Sequence, residues 1–276
     1  MGRRSTVVVG LIVAAAAALV LAGPLTGVQL VKSEDTEGCR TSRPDSDDGR
    51  RPLWIVLVGR NGSDADDSDA HLAHLTDVVL PAAADVSARV LVGLIEDDSD
   101  RAPAIVADAR LAARGPAADN PEVAQRQRAG AARAIANCVT RALGQPPASR
   151  SDPFGAVVWA ASVFDTTPAS SRHLTLLSDA IATTADGCNL TGRDLRPEAR
   201  PRLLRDCVTG DVAGLRGATV WMAGPGRGRA AEESAASTAT PDDVIGLWRA
   251  LFDSVGAELT RAGVTLLPAS ASPSVK

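Results

Sequence analysis

Three histidines, four cysteines and a dense run of aspartates are the residues through which this chain could do chemistry. His71 and His74 stand at i and i+3, which places two imidazoles on one side of a helix where they could share a transition metal. Such a pair more often marks the solvated start of a helix, and it is read so here. Asp64, Asp66, Asp67 and Asp69 crowd one loop that could attract Ca²⁺. The loop lacks the glycine and the closing bidentate glutamate of a Ca²⁺ site, so it reads as a solvated turn. Ser63 or Ser178 with His71 or His173 is the set that could pair a nucleophile with a base. Neither serine lies in a Gly-x-Ser-x-Gly elbow, and His-Glu-x-x-His and P-loop signatures are absent. Gly224-Pro225-Gly226-Arg227-Gly228 follows an apolar run, but a dinucleotide loop needs Gly-x-Gly-x-x-Gly leading straight into the helix of a first βα unit. It reads as a flexible turn. Asn61-Gly62-Ser63 and Asn189-Leu190-Thr191 match glycosylation sequons, short patterns that also arise by chance.

The cysteines bear on compartment. Cys39, Cys138, Cys188 and Cys207 are even in number and form no Cys-x-x-Cys. Four cysteines allow three connectivities. Cys188–Cys207 is favoured because it would close an Arg- and Pro-rich excursion, which leaves Cys39–Cys138; four buried free thiols are the alternative. The N-terminus agrees with an oxidising destination. Arg3 and Arg4 precede an uninterrupted apolar run from Val7 to Ala22, about 24 Å long as a helix, close to the ~30 Å hydrocarbon core. The arginines should stay cytoplasmic and send the C-terminus outward. Residues 7–31 are read as a transmembrane anchor after a cytoplasmic stretch, 1–6. A cleaved signal peptide is the alternative, since Val20-Leu21-Ala22 offers a cleavage site. Either way the rest of the chain lies outside the cytoplasmic membrane, single-pass or secreted.

Residues 1–32 hold Arg3, Arg4 and Lys32 and no acid, so the remainder has 26 basic against 33 acidic residues, a balance of −7. An acidic exported part argues against nucleic acid or anionic lipid as its partner. Aromatic residues are 3% of the chain, so its core must rest on Val, Leu and Ala.

The elements that would position these residues alternate. A polar linker, 32–50, leads to Leu53–Val58, a continuous apolar run suited to a strand buried on both faces. A helix is predicted from about Asp69, then a strand at Arg89–Ile95. Residues 101–120 are ambiguous. Asn120-Pro121-Glu122 starts a helix to about Leu143. Another helix, Phe154–Val163, precedes a strand at His173–Leu177. An excursion, residues 183–214, interrupts the rhythm before a strand at Ala218–Ala223. Thr240 and Asp243 then form a capping box for a helix whose Val244, Leu247, Trp248, Leu251, Phe252 and Val255 make one apolar stripe. A last strand is placed at Val264–Leu267, with a disordered tail, 269–276. Alternation of this kind predicts one α/β domain over 51–268, a mostly parallel sheet with helices on both faces.

The order of these pieces resembles the von Willebrand factor A (VWA) family over roughly residues 51–268. RVLVGLI resembles the family's Arg-Val-x-Leu-Val-x-Phe strand, Ser151-Asp152 before GAVVWAA its Thr-Asn/Asp segment, and LTLLSDA its Leu-Leu-Thr-Asp-Gly strand end. The resemblance implies a site where side-chain oxygens from these loops hold a divalent cation. The family's Asp-x-Ser-x-Ser falls on Gly59-Arg60-Asn61-Gly62-Ser63. Asn61, Ser63, Ser151 and Asp179 could still supply oxygens, but glycine stands where the leading aspartate should, with Arg60 beside the gap. The expected metal site is therefore degenerate. No cofactor is expected, although Mg²⁺ remains possible if Asp64 substitutes for the missing acid. The expectation is a non-enzymatic, membrane-tethered VWA-like module that binds an envelope or extracellular protein. An extracytoplasmic α/β hydrolase with an unrecognised nucleophile is the alternative.

Overall fold

The computed structural model describes residues 39, 51–61, 64, 67–96, 102–113, 119–184, 188–226, 240–263 and 265. The expected anchor at 7–31, the expected linker apart from Cys39, Ser63 and the expected tail lie outside the described residues. Among the described residues no helix is long and apolar enough to cross a membrane.

Six strands form one sheet in the order β3-β2-β1-β4-β5-β6. β1 (Leu53–Gly59) is central and buried at every residue, as its unbroken apolar run requires. It pairs in parallel with β2 (Arg89–Ile95) and β4 (Arg172–Leu177). β5 (Thr219–Ala223) continues the parallel set to β6 (Glu258–Gly263). β3 (Ala104–Arg110) runs antiparallel to β2 at the far edge. The expected fold class is present: a mostly parallel α/β sheet, Rossmann-like, of the kind a VWA-like chain would adopt.

Two strands depart from expectation. β3 lies in the stretch read as ambiguous, where AIVADAR carries too few large apolar residues to stand out. Among the described residues the last strand is Glu258–Gly263; of the stretch expected as a strand, Val264–Leu267, only Thr265 is described, and it is a bend. β6 is an edge strand with no fully buried residue, so it has no apolar run to announce it.

Helices cover both faces. α1 (Ser68–His74) passes through a π-helical turn, Leu75–Val79, into α2 (Leu80–Asp85). Pro81 explains the wide turn, because it brings no N–H for the Asp77 carbonyl and its ring crowds that oxygen. α3 (Pro121–Leu143) starts where expected, with Asn120 Oδ1 accepting from the Glu122 and Val123 amides. These helices pack with Trp54, Val56 and Val58 on one face of the sheet. On the other face, Leu53, Ile55 and Leu57 meet α4 (Pro153–Thr166) and α6 (Pro241–Val255). The Thr240–Asp243 capping box is complete: Asp243 N donates to Thr240 Oγ1 at 3.3 Å, and Thr240 N donates to Asp243 Oδ2 at 3.0 Å.

Both disulfides pair as expected. Cys39–Cys138 ties the segment before the domain to α3, and Cys188–Cys207 closes the excursion. That excursion holds α5 (Arg200–Cys207) and is part of the core: Leu190, Leu195 and Leu203 pack beneath α4 and α6.

Candidate functional site

Strand order reverses between β1 and β4, so the chain leaving β1 turns towards one face and the chain leaving β4 towards the other. A crevice opens beyond the carboxyl ends of two such strands, which is where open α/β sheets place their ligand sites. Here the crevice is filled from within. Asp64, five residues past the end of β1, turns its side chain back over the sheet and is 1% exposed. Its Oδ1 accepts from the Asp179 amide at 2.8 Å and its Oδ2 from Ser178 Oγ at 3.1 Å. Asn61 Oδ1 accepts from the Asp64 amide at 3.0 Å and fixes the turn that returns it. A side chain at Gly59 would overlap the Asp64 carboxylate and lie 2.9 Å from Ser178 Oγ. A side chain at Gly59 and the carboxylate of Asp64, five residues downstream, would thus compete for one volume.

The loop after β4 is held tightly. Asp179 Oδ1 accepts from the Ile181 amide at 2.9 Å, and Ser178 Oγ accepts from the Ala180 amide at 3.1 Å. Ala180 adopts φ +59°, a left-handed conformation that costs a residue with a Cβ. The Ala180 carbonyl accepts from Trp248 Nε1 at 3.0 Å, and Trp248 stacks on Phe154 with centroids 4.3 Å apart. Gly226 N donates to the Asp179 carbonyl at 2.8 Å, so the β5 turn braces the same loop.

Of the residues assigned to the degenerate site, Asn61, Ser151 and Asp179 are buried at this end of the sheet, and Ser63 is outside the described residues. Ser151 exchanges hydrogen bonds with Thr183: its amide donates to Thr183 Oγ1, and its carbonyl accepts from the Thr183 amide, both at 2.8 Å. Its hydroxyl is buried with no hydrogen-bond partner. Arg60 does not face the crevice in the way its position beside Gly59 implied. Its guanidinium bonds the Pro146 carbonyl at 2.6 Å and Glu96 Oε1 at 3.0 Å, pinning the loop before α4.

Two buried carboxyl groups, Asp64 and Asp179, meet at this end of the sheet. The arrangement does not fit Mg²⁺ as it stands, because both Asp64 oxygens already accept protein hydrogen bonds, whereas Mg²⁺ demands near-octahedral anionic oxygens. Burial first, and then the neighbouring Asp179 charge, push Asp64 well above the usual carboxylate range.

Among the described residues no hydrogen bond links His71 or His173 to Ser178, and Ser63 lies outside them. His71 is buried on α1 beneath the β5 turn; a Cβ at Gly224 would lie 3.0 Å from its Nε2 and 3.1 Å from the Ser178 carbonyl. Ser178 Oγ donates instead to Asp64. His173 is at the start of β4, stacked on Trp54 at 4.5 Å, with Ser171 Oγ 3.1 Å from its Nε2. Its five-residue separation from Ser178 along the strand is about 17 Å. Burial lowers the His173 pKa. His71 and His74 gather no third ligand: no group of three or more metal-binding side chains occurs among the described residues.

Asp64 is the residue that pattern reading undervalued, as one of four acids in a solvated turn. The available signal was the glycine at position 59, which leaves room for it.

Neither a protein-family model nor a curated protein matches the chain. Among solved structures, a von Willebrand factor type A protein from Catenulispora acidiphila aligns with 75% of this chain and 43% of its own, at 16% identity and a TM-score of 0.35. A secreted C11 cysteine protease from Bacteroides thetaiotaomicron, solved with an irreversible peptide inhibitor, aligns with 74% of this chain and 59% of its own, at 9% identity and a TM-score of 0.27. The chain therefore spans less than half the length of the first and about three fifths of the second. Likeness at this level adds nothing to the α/β arrangement that the strand order itself establishes.

Proposed function

We propose that this chain is a membrane-tethered, extracytoplasmic VWA-like interaction module that binds another envelope or extracellular protein without metal-dependent catalysis. The observation that carries this reading is the Asp64 carboxylate seated in the space of a Gly59 side chain and bonded by Ser178 and Asp179. A site whose anionic oxygens are consumed internally is suited to presenting a fixed surface. The hydroxyl of Ser178 is committed to a carboxylate rather than an imidazole, which speaks against its use as a nucleophile. Two disulfides favour an oxidising compartment, and the apolar run after Arg3 and Arg4 supplies the export signal.

Recognition is assigned to the loops at the carboxyl ends of the strands. Arg150 is exposed on the loop that leads into α4, at the rim of the crevice. A photo-crosslinking residue at Arg150, in intact cells, should capture a discrete extracytoplasmic protein, while one at Ser162, exposed on α4 away from the crevice, should not. Equal or no capture from the two positions would sink the assignment. Deleting the Cys188–Cys207 excursion is a poor control, because its leucines belong to the core.

A further inference from the structure

The exported part is acidic as a whole, yet α3 is not. Its exposed stripe carries Arg126, Arg133, Asn137 and Arg141, and its single acid, Glu122, is in the first turn. The same helix receives the covalent tie from the N-terminal segment, since Cys138 is bonded to Cys39 and Arg141 donates to Cys39 Sγ at 3.1 Å. Lys32 closes the apolar stretch, so only six residues, seven Cα–Cα steps, separate it from Cys39. Fully extended, they span about 25 Å. Without the disulfide the leash would run on to β1 at Leu53, some 70 Å.

Given the tethered reading above, on which this step rests, we propose that α3 is the membrane-facing surface of the domain and that its arginine stripe docks on anionic lipid headgroups. Three arginines are few for capture from solution, where polybasic clusters are usually larger. A short tether changes that, because it makes docking intramolecular at an effective concentration in the millimolar range. The neighbouring ridge has the opposite sign, with Asp69 exposed on α1, Asp77 on the π-helical turn and Asp85 on α2. α3 packs over β3, the edge strand. The domain can therefore lie on that edge with α3 against phosphates and the acidic ridge turned away.

The test uses the full chain, reconstituted in vesicles of phosphatidylcholine with or without phosphatidylglycerol, with energy-transfer acceptors on the headgroups. A fluorescent residue is placed at Asn137 on the stripe or at Ser162 on the opposite face. Transfer from Asn137 should exceed that from Ser162 several-fold in anionic vesicles. The excess should be lost in neutral vesicles, at high salt and in Arg126→Gln/Arg133→Gln, two exposed changes that leave the core intact. Equal transfer from both sites in anionic vesicles overturns the proposal. An excess at Asn137 that ignores lipid charge removes anionic headgroups as the partner. A chain that fails to float with vesicles overturns the tether itself, an outcome distinct from a misoriented domain.

Discussion

The carboxylate of Asp64 lies where a side chain at Gly59 would have to be. Glycine is required there for volume, not for backbone freedom. Gly59→Ala should force Asp64 out of its bonds with Ser178 and Asp179 and destabilise the fold by about 3 kcal/mol, an overpacking cost at a site that cannot spread. In an Asp64→Ala background the same change should cost close to nothing, because the obstacle is gone. Urea unfolding of the four species closes the cycle. Additive losses would show that the two residues do not compete for one space.

Moving the acid back should convert the site. In Gly59→Asp/Asp64→Ala the carboxylate would spring from the strand end, next to Asp179, with its oxygens no longer consumed by the Asp179 amide and Ser178. Mg²⁺ should then raise the melting temperature, by an amount equivalent to about 2.7 kcal/mol at a hundredfold excess over Kd. The native chain should show no shift under the same conditions. A variant that ignores Mg²⁺ would undo the correspondence drawn between Gly59 and the family's leading aspartate.

Asp64 also predicts an unusual pH profile. Its folded pKa is raised, chiefly by burial and then by Asp179. Between the unfolded value of about 3.9 and that raised value, the folded state holds a proton that the unfolded chain has released. Stability from this group is therefore complete below about pH 3.9 and declines as pH rises through the folded pKa. Asp243 runs the other way: the Thr240 amide and hydroxyl lower its pKa, so its contribution fades as pH falls towards that lowered value. Asp64→Asn, a neutral near-isostere that can still accept from the Asp179 amide, should flatten the decline on the alkaline side and leave the acid limb unchanged. Chemical denaturation from about pH 2 to about pH 8 measures both limbs, since the Asp243 limb lies below the ordinary carboxylate value; an unaltered alkaline slope in Asp64→Asn would rule this source out.

The same residue marks the boundary of what patterns reveal. β1, α3 and α6 are legible because each carries a strong local signal: an unbroken apolar run, an Asn-Pro-Glu start, a capping box with a stripe behind it. β3 and β6 are not, because edge strands of short or half-exposed residues gain their stability from pairing with a neighbour distant in sequence. Asp64 was legible as a substitute acid for position 59 through the family resemblance alone; its seat beside Ser178 and Asp179 was not, because that depends on a side chain folding back across five residues into a volume that only the tertiary structure defines. The π-helical turn was similarly hidden, although Pro81 is its cause.

Ala180 and Trp248 form the support for Asp179. A left-handed alanine is strained, so Ala180→Gly should stabilise the protein by up to about 1 kcal/mol. Trp248→Phe keeps an aromatic ring near Phe154 but removes the donor to the Ala180 carbonyl, leaving a buried acceptor unmade. That should cost about 2 kcal/mol in lost bonding and packing. Melting temperatures of the two single variants should move in opposite directions. A stabilising Trp248→Phe would mean that the loop does not depend on this bond.

Cys188 and Cys207 offer the last test, and it separates the two disulfides. The pair bridges nineteen residues of sequence, and Cys39–Cys138 bridges ninety-nine. In the chain-entropy account a closure of the first size is worth about 3 kcal/mol and one of the second nearer 5 kcal/mol. Their structural consequences differ more than these figures. Cys188→Ala/Cys207→Ala frees an excursion whose Leu190, Leu195 and Leu203 fill the core under α4 and α6, so it should loosen the fold around Asp179. Cys39→Ala/Cys138→Ala frees only the approach to β1 and leaves the sheet and its crevice in place. Amide exchange should therefore rise across residues 179–184 and in α6 for the first variant, and stay near native there for the second. The reverse pattern would mean that the excursion is not the buttress its packing implies.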